Sequence, residues 1–117
     1  MHFYRTVRHN PPEPGDFLSG EVEGRPSPPK AHLVRFWQGF SAFDTLEQAR
    51  RKAQQNPAQG AFIVELVIPD NAGIQWEKTF GPGHYTIWGD PTQCVRYSEH
   101  VSLVWESEGG NGNGRAV

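Results

Sequence analysis

A chain of 117 residues has room for one domain with one hydrophobic core. The formal net charge is −2 and no block of Lys or Arg forms a sustained basic face, which excludes duplex nucleic acid as the dominant partner. A single cysteine, Cys94, excludes an internal disulfide, and no apolar run approaches the roughly 20 residues that span a bilayer. The N-terminus has no signal-peptide pattern, so we expect a cytoplasmic protein without a membrane segment.

The first part of the chain predicts a strand followed by a proline-rich loop. Aromatic and β-branched residues from Phe3 to Arg8 are typical of a strand, and Asn10-Pro11-Pro12 ends it. Six of the ten prolines lie between this point and Pro29, so the stretch is predicted to be an ordered loop. Its one apolar segment, Asp16 to Ser19, is predicted to form a helical turn packed on the core.

Two helices are predicted next, separated by a short strand from Phe40 to Phe43. The first runs from Pro28 to Trp37 and places Leu33, Phe36 and Trp37 on one buried stripe, at i, i+3 and i+4. The second, from Leu46 to Gln55, carries the clearest local signal in the chain. Thr45 and Gln48 fit a capping box, acidic residues lie in the first turn and basic ones in the last.

The second half of the chain predicts four strands and a helical turn. In chain order these are a central strand from Ala61 to Ile68, strands from Ile74 to Lys78 and His84 to Trp88 joined by Gly81-Pro82-Gly83, a helical turn from Pro91 to Tyr97, and a last strand from Val101 to Trp105. Residues 106–117 are Gly/Asn-rich and predicted to be disordered. Residues 1–105 are therefore predicted to form an α+β domain with a split, mostly antiparallel, twisted sheet, two short helices and a cleft between its halves.

Three sets of short motifs follow one another along this predicted domain. The first comprises Tyr4-Arg5, Arg8, Pro11-Pro12 and Asp16-Phe17 and ends at Gly24. The second is Ser41 on a strand before a helix, and the third is the strand from His84 leading into Gly89-Asp90-Pro91. In this order they resemble the pertussis-toxin-like and pierisin-like mono-ADP-ribosyltransferases. Each motif is short, and the similarity covers roughly the whole predicted domain.

The resemblance implies an ADP-ribosyltransferase-like fold that binds NAD or a related nucleotide. Arg5, with Tyr4 beside it, would clamp the dinucleotide phosphates, and Ser41 would support the nicotinamide-ribose pocket. Tyr85 or Trp88 would stack on a base, and catalysis would rest on electrostatic stabilisation of an oxocarbenium-like transition state. Such a protein would act as a small toxin or a modifier of a macromolecule, with that target or a neutralising protein as its partner.

The chain departs from this family at the catalytic glutamate. The matching place reads Gly83-His84-Tyr85 and contains no acid. A neutral imidazole accepts a hydrogen bond from a ribose hydroxyl but supplies no negative charge, and a protonated one would repel the developing cation. Glu77, one strand earlier, and Glu65 are the acids considered as replacements.

Two functions from different classes therefore remain open. The first is a nucleotide-binding protein that uses Arg5, Ser41 and His84, with transferase or NAD-cleaving activity. The second is a non-catalytic interaction module that kept the fold, lost the ligand and presents a Trp-rich surface to a protein partner. Under the second, Arg5 is an ordinary paired strand residue and His84 a hydrogen-bonded residue at the end of a hairpin. The five histidines show no metal-ligand spacing, so no zinc site is expected.

Overall fold

A computed structural model of the chain describes residues 1–105. The predicted disordered tail, 106–117, lies outside the described residues. None of the helices described is both long and apolar enough to cross a lipid bilayer.

Six strands within residues 1–105 form one sheet in which all neighbouring strands are antiparallel. The strands are β1 His2–Val7, β2 Phe40–Phe43, β3 Phe62–Val67, β4 Gln75–Lys78, β5 His84–Trp88 and β6 Ser98–Leu103. Their order across the sheet is β4-β5-β2-β1-β3-β6, so the first strand of the chain lies near the centre. The predicted α+β class and antiparallel sheet are confirmed.

Short helices connect and cover these strands. The α-helices are α1 Val34–Trp37, α2 Leu46–Gln55 and α3 Pro91–Arg96, and three single turns of 3-10 helix lie at Pro14–Phe17, Ala31–Leu33 and Pro57–Gln59. The predicted start of α2 is confirmed, because the Thr45 hydroxyl accepts a hydrogen bond from the Gln48 backbone N–H at 3.1 Å. A helical turn is also present in the proline-rich loop, but it begins at Pro14 and ends at Phe17, two residues earlier than predicted, and Phe17 is fully buried.

The predicted helix from Pro28 to Trp37 was wrong in its extent and in its buried stripe. Lys30 has extended backbone angles, a 3-10 turn follows it, and regular α-helix begins only at Val34. No residue of α1 is buried, because its Phe36 packs against Phe80 at the outer part of the sheet rather than against the central core. The last strand was also misplaced, since it begins at Ser98 rather than at Val101.

Both faces of the sheet carry buried apolar side chains. On one face lies the larger core, formed by Phe3, Val7, Phe17, Phe40, Ala42, Val64, Leu66, Ile68, Ile74, Ile87 and Cys94. On the other face α2 covers a smaller core of Ala49, Ala53, Ile63 and Val104. Because side chains alternate along a strand, Phe3 and Arg5 leave β1 on the face of the larger core, and Tyr4 leaves it on the α2 face.

Candidate functional site: a cationic cleft between β1 and β2

The sheet is weakly joined between β1 and β2. Their register contains one pair, Tyr4 opposite Phe43, whereas β1 pairs with β3 at six positions and β2 with β5 at four. Beyond that pair the two strands diverge, with Arg5 on one side of the opening and Ser41 on the other. The predicted split in the sheet therefore lies beside its central strand.

The Arg5 side chain bridges this opening. Its Nε donates to the backbone oxygen of Asp16 at 2.7 Å, and its Nη1 donates to the backbone oxygen of Ser41 at 2.6 Å. The guanidinium carbon lies 4.7 Å from the centre of the Phe40 ring, a cation–π contact. Burial lowers the pKa of Arg5 to about 10, partly opposed by Glu23 and Asp16, so the group stays charged at neutral pH.

Arg5 keeps hydrogen-bonding capacity after these contacts. A guanidinium has five N–H donors, and the two bonds above use two of them. Its Nη2 has no hydrogen-bond partner within residues 1–105. The side chain is thus oriented by the protein and still has donors available for a ligand.

Arg5, Ser41 and His84 line one cavity of about 150 Å³ at this opening. The charged side chains of the lining are Arg5, Arg8, Arg25, Lys52, Asp16 and Glu23. The acids are already engaged, since the Asp16 carboxylate accepts hydrogen bonds from within the protein and Glu23 lies 3.5 Å from Arg25. The cavity is therefore locally cationic in a chain whose formal net charge is −2.

Two threonines hold His84 at the start of β5. The Thr79 hydroxyl lies 2.7 Å from Nδ1 of His84 and 3.1 Å from the Thr86 hydroxyl, and Thr86 is buried. The ring packs edge-on against Phe43, with 5.2 Å between centroids. Burial, followed by the nearby charge of Lys52, lowers the pKa of His84 below its usual range. His84 is therefore neutral at pH 7, and Nε2 is the ring nitrogen left for a ligand.

The turn before His84 requires glycine at two positions. Gly81 and Gly83 have φ of +81° and +68°, values that residues with a side chain rarely adopt. A Cβ on Gly83 would also lie 2.6 Å from Oδ1 of Asp44. The position before His84 therefore carries no side chain, and the carboxylate of Asp44 lies against it.

Three aromatic residues predicted to bind the cofactor lie outside the cavity lining. The Tyr4 hydroxyl donates to Oε2 of Glu65 at 3.3 Å on the α2 face of the sheet. Tyr85 packs on Phe3 in the larger core, with 5.1 Å between ring centroids. Trp88 is held by Arg35, whose backbone oxygen accepts from the indole Nε1 at 2.9 Å.

The acids considered as replacements for the family glutamate also lie elsewhere. Glu77 is on β4 at the edge of the sheet and forms an ion pair of 2.6 Å with Arg35. Glu65 is on β3 and contacts Nδ1 of His2 at 2.6 Å. Neither glutamate lines the cavity. The structure brings together Arg5, Ser41 and His84 from the predicted set and leaves Glu77 apart.

Arg8, Arg25 and Lys52 line the cavity although none was a predicted site residue. Lys52 lies in the last turn of α2, where a base is also explained by the helix dipole. Arg25 lies in the proline-rich loop and is held there because its backbone oxygen accepts from Nε1 of Trp37 at 3.0 Å. No local pattern in the sequence indicates that these two segments meet.

The chain matches no protein-family model. No curated protein and no solved structure matches it either.

Proposed function

We propose that this protein binds NAD or a related dinucleotide in the cleft between β1 and β2. The observation that carries the proposal is that Arg5, Ser41 and His84, from three adjacent strands, line one cationic cavity. Each of the three motifs that resemble mono-ADP-ribosyltransferases contributes one of these residues.

Arg5 is the residue proposed to hold the pyrophosphate. A planar guanidinium pairs with two phosphate oxygens at once, and here its orientation is fixed by two backbone oxygens before any ligand arrives. Such preorganisation lowers the entropy lost on binding. Arg8 and Arg25 in the same lining supply further positive charge for a dianion.

Ser41 and His84 are proposed to contact the ribose next to nicotinamide. Ser41 is exposed and presents a hydroxyl, while the neutral imidazole of His84 accepts or donates one hydrogen bond through Nε2. Neither group supplies the negative charge that stabilises an oxocarbenium-like transition state. We therefore propose that the wild-type protein binds the nucleotide and transfers ADP-ribose or cleaves NAD slowly.

Thermal unfolding with and without ligand tests the binding proposal. A ligand that binds only the native state adds RT ln(1 + [L]/Kd), or about 2.7 kcal/mol at a 100-fold excess over Kd. For a domain of this size that is a rise in Tm of roughly 10 °C. We expect NAD and ADP-ribose to raise the Tm more than nicotinamide, which lacks the pyrophosphate. No rise with any of the three at millimolar concentration would refute the proposal.

His84→Glu tests the catalytic part. The substitution places a carboxylate where the imidazole lies, near Lys52 and the Thr79 hydroxyl, so the folded site has groups that stabilise the new charge. We expect release of nicotinamide from NAD to rise at least tenfold above wild type, measured by chromatography. His84→Gln is the matched control, because it has the same shape without the charge. Unchanged turnover in a variant that is folded and binds NAD would contradict the assignment of His84.

The second candidate is the non-catalytic interaction module, and one surface favours it. Trp105 is 68% exposed and lies two residues after the end of β6, an edge strand of the sheet. Exposed tryptophan is enriched at protein interfaces. The thermal experiment separates the candidates, because an interaction module would show no shift with any nucleotide.

A further inference from the structure

A second cavity of about 370 Å³ lies next to the cationic cleft and shares Phe43, Lys52 and His84 with it. We call it the α2 groove. One wall is formed by α2 through Gln48, Arg51, Lys52 and Gln55, and the other by the turn Phe80-Gly81-Pro82. Ligand sites are commonly about 300–1,000 Å³, so the α2 groove reaches that range and the first cavity alone does not.

The turn wall presents an aromatic ring. Phe80 is 59% exposed, so its ring is accessible to a ligand in the groove. Phe36 contacts it edge-on, with 5.4 Å between centroids at 82°. The His84 ring lies 6.0 Å from that of Phe80 between centroids, and the Phe43 ring lies 5.2 Å from that of His84. Phe80, His84 and Phe43 therefore form a row of rings along the groove. A flat base gains stacking energy on such a surface.

The α2 wall is cationic and polar. Lys52 is exposed and has no ion-pair partner among the residues the structure describes. Arg51 is paired with Glu47 only loosely, at 3.8 Å and in an exposed position, where such a pair is weak. Among residues 1–105 no carboxylate lines the groove, and the amides of Gln48 and Gln55 supply donors and acceptors. One wall thus suits a ring and the other an anion.

We propose that the α2 groove binds a nucleoside monophosphate group, with its base on Phe80 and its phosphate at Lys52. This goes beyond the proposed function, which concerns only the cleft at Arg5. Two ligands could supply this nucleoside monophosphate group. One is the second half of a dinucleotide whose pyrophosphate lies at Arg5, and the other is a separate nucleotide that contacts the ligand of the cleft near His84. Both present the same chemistry to the groove.

Titration with adenosine monophosphate, followed by calorimetry, tests the groove. We expect saturable binding by wild type that weakens at least tenfold in Phe80→Ala and in Lys52→Gln. Trp105→Ala and Lys30→Gln are matched controls, since they remove an exposed ring and an exposed lysine that line neither cavity. Their affinities should equal that of wild type.

Other outcomes of these titrations would either refute the groove or identify the source of its ligand. No saturable binding by wild type at about 10 mM adenosine monophosphate, well above usual nucleotide affinities, would overturn the groove, as would binding that Arg5→Lys weakens and Phe80→Ala does not. If saturating NAD displaces the nucleotide, the groove holds half of the dinucleotide. If the nucleotide still binds to NAD-saturated protein, it is a separate ligand. Failure of NAD to bind while adenosine monophosphate binds at Phe80 would refute the proposed function and leave the groove standing.

Discussion

Replacing Arg5 by lysine separates an oriented phosphate clamp from an ordinary strand arginine. The guanidinium reaches two backbone oxygens at once, that of Asp16 through Nε and that of Ser41 through Nη1. A lysine ammonium is a single point at the end of a linear chain and cannot reproduce both bonds. Arg5→Lys therefore removes one hydrogen bond and the stacking on Phe40 while keeping the charge.

The expected loss of stability follows from these contacts. A hydrogen bond from a charged group contributes about 1.5–3 kcal/mol, and the lower value applies because the bond to Ser41 is solvent-exposed. The cation–π contact with Phe40 adds about 0.5–1 kcal/mol. We expect the free energy of unfolding to fall by about 2 kcal/mol and the Tm by roughly 7 °C.

Urea denaturation measures the stability, and NAD titration of the folded variant measures the clamp. Arg8→Lys is the control, because Arg8 lines the same cavity but is exposed and makes one side-chain bond of 3.3 Å, to the backbone oxygen of Ala58. Its stability should change by less than about 0.5 kcal/mol. Arg5→Lys should also weaken NAD binding at least tenfold. A variant as stable as wild type that binds NAD equally well would refute the account of Arg5.

Three further outcomes are expected. At pH 7 Asp16→Asn should lower the free energy of unfolding by about 2 kcal/mol in urea titrations, because the carboxylate accepts three hydrogen bonds. Burial alone would raise the pKa of Asp16, but the hydrogen bonds outweigh burial and lower it. The stability that the wild-type carboxylate contributes is therefore fully present above about pH 4 and is lost as the pH falls further. Lys52→Gln should raise the pKa of His84 in NMR titrations and leave it below the usual value, because burial is the larger cause; a fall would contradict this. Burial raises the pKa of Cys94 to about 11, so its thiol should react with alkylating reagents only after unfolding, and rapid labelling of native protein would show the packing to be wrong.

Local signals in the sequence identified most elements but not their arrangement. The start of α2 was predictable because one hydroxyl and one backbone N–H three residues later decide it. The start of β5 was predictable because Gly81-Pro82-Gly83 marks a turn directly before it. The position of β1 at the centre of the sheet was not predictable, because its pairing with β2 and β3 joins residues 39 to 65 positions apart in the chain.

In the candidate site, too, the residues were predictable from the sequence but their arrangement was not. Arg5, Ser41 and His84 were named from short motifs, and the structure places them around one opening. Trp88, on the same strand as His84, and Glu77, on β4, lie apart from the opening, and both contact Arg35 instead. Residue type and strand membership predict which side chains carry chemistry, whereas strand order and alternation decide which of them meet.

The proline-rich loop forms one wall of the cleft, and Asp16 holds the loop in that position. Its carboxylate accepts from the backbone N–H groups of Arg8 and Glu13, both at 2.9 Å, which fixes the path of the loop. Its backbone oxygen accepts from Nε of Arg5, so the same residue that folds the loop also orients the guanidinium. Prolines restrict the unfolded chain and so reduce the entropy lost when such a loop becomes ordered. The geometry at Arg5 thus depends on the loop as much as on the sheet, and a substitution that loosens Asp16 should displace the Arg5 guanidinium, which is 11 residues away in the sequence.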